Sequence, residues 1–548
     1  MNTEPFVFEA SAERATSADL SNVRNWSEAL ERDRLPIASN APLPPIPAAD
    51  QTVEHRLVLA IIRRSLETKQ AENPSEPVKL IIYGEAGSGK SRLIQTISAL
   101  YAEYGRDDMV LKLAPSASLA SLIGGRSIEE VFHFRRRGSF NVESLFGQTL
   151  QAEMAGKDLL VIDHISLMTK TMFSLLSDRL TLIRHACGMC HADALFGGMD
   201  VLICGDFHQQ HRIGCSVFEH LYHTESSPSG NLLQEAGRRL FESFSECVIL
   251  RKMHTEPLKK GWHQVLERFR TDPLDSVTIN SIQYQRSVLR EFDAHLWEYP
   301  LLISNHRFTR SSWNFCALQQ YSTRHRNQVY TWESIKVVAG NQADGPTAAL
   351  INAYKKTHKS RFGGTLSLCE GAKVVILTSN IPATVIKIAL AVNEEALPCT
   401  DQEVFLQQIP AYILVQLNIA NAIRIPGLPA GVIPLLPFEM RYMIKPGLVV
   451  TERQYPLVLG YATAPQDWYG RSLVRAVLDI PSATPNSTWM NRQSLYDILS
   501  RFADVESLML LRPLDTSLLD SPVGMELKEE EHRLNCLSAT TRGMRGIY

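Results

Sequence analysis

The segment Leu80-Ile81-Ile82-Tyr83-Gly84-Glu85-Ala86-Gly87-Ser88-Gly89-Lys90-Ser91 constrains this chain more than any other. An apolar run enters a glycine-rich loop, and the loop enters a helical pattern. That order fits the phosphate-cradling pattern G-x-x-x-x-G-K-[ST] in the strand–loop–helix setting it requires. Glycines let backbone N–H groups turn toward phosphate oxygens, and the following helix adds its positive N-terminal end. Gly84, Glu85, Ala86, Gly87, Ser88, Gly89, Lys90 and Ser91 are therefore the expected nucleotide-binding loop. Lys90 would neutralise the β- and γ-phosphates, and Ser91 would ligate Mg²⁺.

Such a loop needs a parallel sheet around it, and the chain offers one. Val78–Tyr83, Met109–Leu113, Leu159–Ile162 and Val201–Cys204 are short apolar runs separated by helical stretches. Continuous apolar strands alternating with helices indicate an α/β layer covered on both faces. A second series follows at Leu301–Ser304, Ala372–Leu377, Ala411–Leu417 and Val474–Ile480. Two α/β cores in tandem are expected, which suits 548 residues.

Two further pieces complete a nucleotide site. Asp158-Leu-Leu-Val-Ile-Asp163 ends a strand in a carboxylate, and Asp163 would hold Mg²⁺ through a water. Val201-Leu-Ile-Cys-Gly205-Asp206-Phe207-His208-Gln209 ends another strand, and Gln209 could sense the γ-phosphate. The formal net charge of −2 points to no partner, so any nucleic-acid surface must come from local patches. Nine scattered cysteines suit a reducing compartment. No signal or transit peptide and no membrane span is expected.

These three pieces, in this order, resemble superfamily-one DNA helicases. More closely they resemble the Pif1 family, especially its fungal and transposon-borne branch. The resemblance runs from about residue 51 to about residue 534. Gln51 stands where the family reads adenine. Ala114-Pro115-Ser116 through Gly125-Arg126-Ser127 is similar to its first DNA-contacting motif, which marks Pro115, Ser116 and Ser127 as DNA-binding. Gly371-Ala-Lys-Val-Val-Ile-Leu-Thr-Ser-Asn380 resembles the lead-in to its small accessory β-barrel. Leu495-Tyr496-Asp497-Ile498-Leu499-Ser500-Arg501 resembles the last motif, where Arg501 would be the arginine finger.

The resemblance implies two RecA-like P-loop cores with a β-barrel-like insertion in the second. It implies ATP and Mg²⁺ as cofactors, single-stranded DNA as partner, and 5′ to 3′ translocation coupled to unwinding. Roles in repair, recombination or telomere maintenance go with it, in the nucleus or the mitochondrion. The expected organisation is a flexible arm and linker over 1–50, a first core over 51–292 and a second over 293–512. The β-rich insertion falls at about 371–450, and a solvated helical tail at 513–548.

Departures from the family pattern cluster on chemistry. His164 replaces the glutamate that would activate water. Glu256 falls where an arginine would touch phosphate, with Arg251 nearby. Asp467 replaces a basic residue in the fifth motif. Nucleotide binding with weak hydrolysis is one expectation, and a DNA-binding pseudo-helicase or a nucleotide-independent scaffold are the alternatives. Cys187-Gly-Met-Cys190-His191 has a metal-site or haem-site spacing, but a ligand-free loop is the expected reading. Arg135-Arg136-Arg137 fits a phosphate contact or a solvated face equally.

Overall fold

The structure, a computed structural model, describes residues 14–32, 43–71, 76–132, 150–209, 211–212, 215–225, 232–251, 260–285, 297–338, 341–357, 364–379, 381–394, 403–418, 424–445, 447–468, 473–480, 491–520 and 522–545. By contact the chain divides into two compact units. One joins residues 42–292 to 468–548, and the other joins 1–41 to 293–467.

The first unit is built on six strands. They are β1 (Lys79–Gly84), β2 (Val110–Ala114), β3 (Arg126–Ser127), β4 (Leu159–Ile162), β5 (Asp200–Gly205) and β6 (Glu246–Leu250). Their order is β3-β2-β4-β5-β1-β6, and every pairing is parallel. The continuous apolar runs follow from burial on both faces. Ile81, Leu160, Ile162, Val201 and Ile203 enter one core, whereas Leu80, Ile82, Leu159, Val161 and Leu202 enter the other. The alternation matches the two-residue period of a strand.

The second unit begins with β7 (Leu301–Ser304), the helix Arg307–His325, β8 (Val329–Glu333), β9 (Ile335–Val338) and β10 (Asn341–Gln342). After the helix Gly345–Thr357 come β11 (Thr365–Leu368), β12 (Lys373–Ile376), β13 (Ile381–Ala389), β14 (Glu403–Phe405) and β15 (Tyr412–Leu417). Then follow β16 (Val432–Leu435), β17 (Phe438–Lys445), β18 (Leu448–Gln454), β19 (Leu457–Leu459) and β20 (Ala462–Thr463). β7 pairs with β20 in parallel, as an α/β core requires. Much of the rest is antiparallel, notably the sheet β16-β15-β13-β12-β19. The runs at 372–377 and 411–417 therefore form β12 and β15 of this β-rich body instead of a parallel core. Short apolar runs carry no sign of strand direction, so the sequence could not separate the two cases.

Residues 14–32 are not a flexible arm. The helix Ser17–Arg32 buries Val23 beside Ala389, Tyr412 and Leu414, with Leu20 and Trp26 against the same cluster. Nor does the proline-rich stretch behave as a free linker. Ile46 lies in the core of the P-loop unit, and its N–H donates to Thr96 Oγ1 at 2.8 Å.

By contact residues 468–512 group with the P-loop unit. Their strands β21 (Ala476–Asp479) and β22 (Leu508–Leu510) pair in parallel. The helix Met525–Met544, read from its charges as solvated, is half buried in the same unit. Leu527 and Leu534 are fully buried against the sheet, and Thr541 Oγ1 accepts the Cys247 N–H of β6 at 3.0 Å. Its two buried leucines fall at i and i+7, too sparse a stripe to show among so many charges.

Candidate nucleotide site

Strand order puts the site together. β4, β5 and β1 are neighbours, so Asp163, Asp206 and the P-loop all emerge at the carboxyl edge of one sheet, where α/β folds bind ligands. The P-loop turns through left-handed backbone at Gly87 (φ 84°) and Gly89 (φ 87°), which favours glycine there. Gly205 has a different reason. A Cβ on it would lie 2.7 Å from Ile165 Cγ1 and 2.9 Å from the Ile165 N, so β5 can pass the 163–165 turn only without a side chain.

Lys90 Nζ donates to the Gly84 and Glu85 carbonyls at 2.6 and 2.8 Å. Burial pushes its pKa down, and the carboxylates of Asp206 and Asp163 oppose the fall. Ser91 Oγ donates to Asp163 Oδ2 at 3.4 Å. The buried Asp163 accepts the His164 N–H on Oδ1 at 2.9 Å. Burial alone would raise this carboxyl, but the neighbouring His164 and Lys90 hold it below its usual value. A hydroxyl and an ionised carboxylate side by side suit a magnesium ion that takes its remaining oxygens from phosphate and water.

His164 occupies the left-handed region at φ 58° and ψ 53°. Its Nδ1 stands 3.4 Å from Asp163 Oδ2. No carboxylate stands at this position to orient water.

The Gln209 loop is fixed by its own aspartate. Asp206 Oδ1 accepts the His208 N–H at 3.0 Å, and the Asp206 carbonyl accepts the Gln209 N–H at 3.1 Å. Asp206 Oδ2 takes Arg270 Nη1 at 2.6 Å, with both side chains buried. The ion pair, with His208 and Lys90, holds Asp206 below its ordinary range although burial acts the other way. Arg270 also stands 3.6 Å from Glu85 of the P-loop, donates to Tyr496 Oη at 3.1 Å and lies over that ring.

Arg501 lies in the P-loop unit with the other expected site residues. Its guanidinium pairs with Asp497 one turn earlier, its Nε is buried without a partner, and its charge acts on Lys90. Gln51 donates from Nε2 to the Ile46 carbonyl at 3.2 Å. Of the expected DNA contacts, Pro115 and Ser116 follow β2, and Ser116 caps the helix Ala117–Leu122. Ser127 is buried and accepts the Glu130 N–H at 3.2 Å. Glu256, Arg135–Arg137 and Tyr469–Ser472 lie outside the described residues. Asp467 closes a local turn, accepting from Thr463 Oγ1 and the Ala464 N–H. The thiols of Cys187 and Cys190 point to separate carbonyls, of Gln151 and Thr181, and no metal-holding cluster of His, Cys, Asp or Glu occurs among the described residues.

Sequence reasoning missed Arg270, Tyr496 and Glu531, which meet around Asp206. Arg270 follows the buried Trp262, Leu266 and Phe269 on one amphipathic helix, and only its partner shows why it is buried. Glu531 carried no signal at all among the acids of its helix.

Fold and site together define an α/β architecture with a P-loop at the carboxyl edge of a six-stranded parallel sheet. Residues 60–214 match the family model for PIF1-like helicases. The Pif1 helicase of Candida albicans superposes over 88% of this chain and 99% of its own, at 17% identity and a TM-score of 0.59. Bacteroides Pif1 in complex with ADP-AlF3 and single-stranded DNA covers 87% and 96%, at 15% identity and 0.56. Bacteroides Pif1 bound to single-stranded DNA covers 88% and 96%, at the same identity and score. No curated protein matches the chain in sequence. Residues 60–214 are thus similar in sequence to PIF1-like helicases, and over most of its length the chain shares the fold of the Pif1 structures, with two RecA-like cores.

Proposed function

We propose that the chain is an ATP-dependent DNA helicase of the Pif1 type whose hydrolysis step is slow. The observation that carries this is the convergence of Lys90, the Ser91–Asp163 pair and the Asp206–Gln209 loop on adjacent strand ends. Lys90 and the loop N–H groups would hold the triphosphate, and Ser91 with Asp163 would hold Mg²⁺. Gln209 would report the γ-phosphate, and Arg501 would balance charge developing on it. The fold shared with Pif1 structures bound to single-stranded DNA supports that polymer as the track, moved along 5′ to 3′, in nuclear or mitochondrial genome maintenance.

The slow step follows from His164. In the left-handed conformation beside Asp163 it offers an imidazole where a carboxylate would deprotonate water, and general-base catalysis is worth roughly 10²–10⁴ in rate. A second reading, a helicase fold that binds ATP and DNA without unwinding, draws on the same residue. DNA-stimulated ATPase and strand-displacement assays test both. The wild type should turn over slowly, Lys90→Ala should abolish turnover, and His164→Glu should accelerate it by about tenfold or more. A brisk wild-type rate that His164→Glu leaves unchanged would sink the slow-step reading. Measurable turnover without strand displacement would favour the second.

A further inference from the structure

The helix Met525–Met544 does more than cover the sheet. Its neighbouring acids face different tasks. Glu530 is buried and tied to Arg533 on its own helix and to Arg238 at 3.6 Å, a packing role. Glu531, one residue on, reaches the nucleotide side. Its Oε1 accepts from His208 Nε2 at 2.8 Å, stands 3.6 Å from Arg270 Nη2 and lies 3.3 Å from Tyr83 Oη.

Those three partners are the ones that set the Gln209 loop. His208 immediately precedes Gln209. Arg270 bridges Asp206 at the base of the loop to Glu85 of the P-loop. Tyr83 Oη reaches Asp206 Oδ1 at 3.3 Å. The chain of contacts runs from Glu531 through the His208 ring to the loop backbone, and through Arg270 to the P-loop. A buried guanidinium already neutralised by Asp206 does not need a second carboxylate for charge alone, and placing one there costs desolvation. What the second carboxylate adds is a fixed direction for His208, whose side chain is buried and whose Nε2 would otherwise lack this partner.

We infer that Glu531 is a positioning residue for γ-phosphate recognition, acting through His208 and Arg270 to hold Gln209 at a set distance from the P-loop. The inference rests on the reading of this site as a nucleotide site, and it makes the helix Met525–Met544 part of the sensing apparatus. Grip on the diphosphate is left to the P-loop itself. Loss of Glu531 should therefore cost discrimination between triphosphate and diphosphate and leave diphosphate affinity intact.

The test is a competition titration of the full chain with Mg²⁺ and a fluorescent ADP, displaced by ADP or by the non-hydrolysable triphosphate AMP-PNP. It needs no hydrolysis, so a slow wild type does not affect it. Glu531→Ala should lose about tenfold of the wild-type preference for triphosphate, the loss expected for one charge-assisted buried hydrogen bond. Its ADP affinity should stay within about twofold of wild type, which also reports an intact fold. Glu531→Gln keeps the hydrogen bond to His208 and loses the charge on Arg270. It should lose about threefold, and it carries the test if the alanine variant does not fold. Glu529→Ala, an exposed neighbour, should match wild type. Unchanged triphosphate preference in both Glu531 variants overturns this inference alone. Failure of the wild type to bind either nucleotide overturns the nucleotide-site reading with it.

Discussion

Replacing Arg270 with methionine isolates the central ion pair of the site. Asp206 is fully buried and Arg270 nearly so, joined at 2.6 Å, so solvent screens the pair little. Methionine fills most of the stem volume and removes the charge. Asp206 then keeps two weaker contacts, the His208 N–H at 3.0 Å and Tyr83 Oη at 3.3 Å. The stack on Tyr496 and the hydrogen bond to its hydroxyl go as well. Breaking a buried pair by removing one partner costs about 3–5 kcal/mol, and the retained hydrogen bonds place this case near the lower end. The pH dependence fixes the mechanism. In the wild type the folded-state pKa of Asp206 is depressed below 3.8, so its contribution is present above that value and lost as pH falls through the folded pKa. Without Arg270 the carboxyl loses the largest of the charges that hold it down against burial, and its pKa rises. The deficit should then shrink as the medium is acidified from about pH 8 toward about pH 4, as Asp206 takes up a proton. Urea denaturation of both proteins across that range measures it. Asp206→Asn in the methionine background should recover about 2 kcal/mol at neutral pH, since it removes the stranded charge. A single-variant loss below about 1 kcal/mol, or a deficit that grows on acidification, refutes the argument.

Two other outcomes are expected. Gly237→Ala should destabilise the P-loop unit by about 3 kcal/mol in the same denaturation assay, because the added Cβ would sit 2.0 Å from the Lys170 carbonyl oxygen, and backbone must move to admit it. Cys187→Ser with Cys190→Ser should leave both stability and the metal content of the purified protein unchanged, because the two thiols face different carbonyls. Stoichiometric zinc lost from the double variant would reverse that reading.

What the sequence made legible was whatever a local pattern could carry. β1, β2, β4 and β5 showed as apolar runs because each is buried on both faces, and the P-loop showed because its chemistry is contiguous. β3 and β6 did not show. β3 has only two residues, and β6 mixes Glu246 and Cys247 into its run. Lys90 and Ser91 were assigned from the P-loop pattern, and Asp163 and Gln209 from the ends of apolar runs, and the fold brings all four to adjacent strand ends. Arg270, Tyr496 and Glu531 were not, since each gains its meaning from a partner far away in sequence. Arg270 meets Asp206 from another helix, and Glu531 meets His208 from a third. A lone arginine after an apolar stripe and one acid in a run of acids look like solvated residues until the fold closes on them. The N-terminal helix was missed for a related reason, because its apolar face is small and only its packing on β13, β15 and β16 explains it.

The P-loop unit is assembled from both ends of a long stretch of polypeptide. Strand β6 and its neighbours are synthesised early, whereas Leu527, Leu534 and Thr541, which cover them, emerge only after the whole β-rich unit has been made. A nascent chain therefore lacks part of the cover of its parallel sheet until its last helix is made, and transiently exposed apolar surface of that kind is prone to aggregation. This topology makes completion of the first-synthesised core wait on the last-synthesised helix.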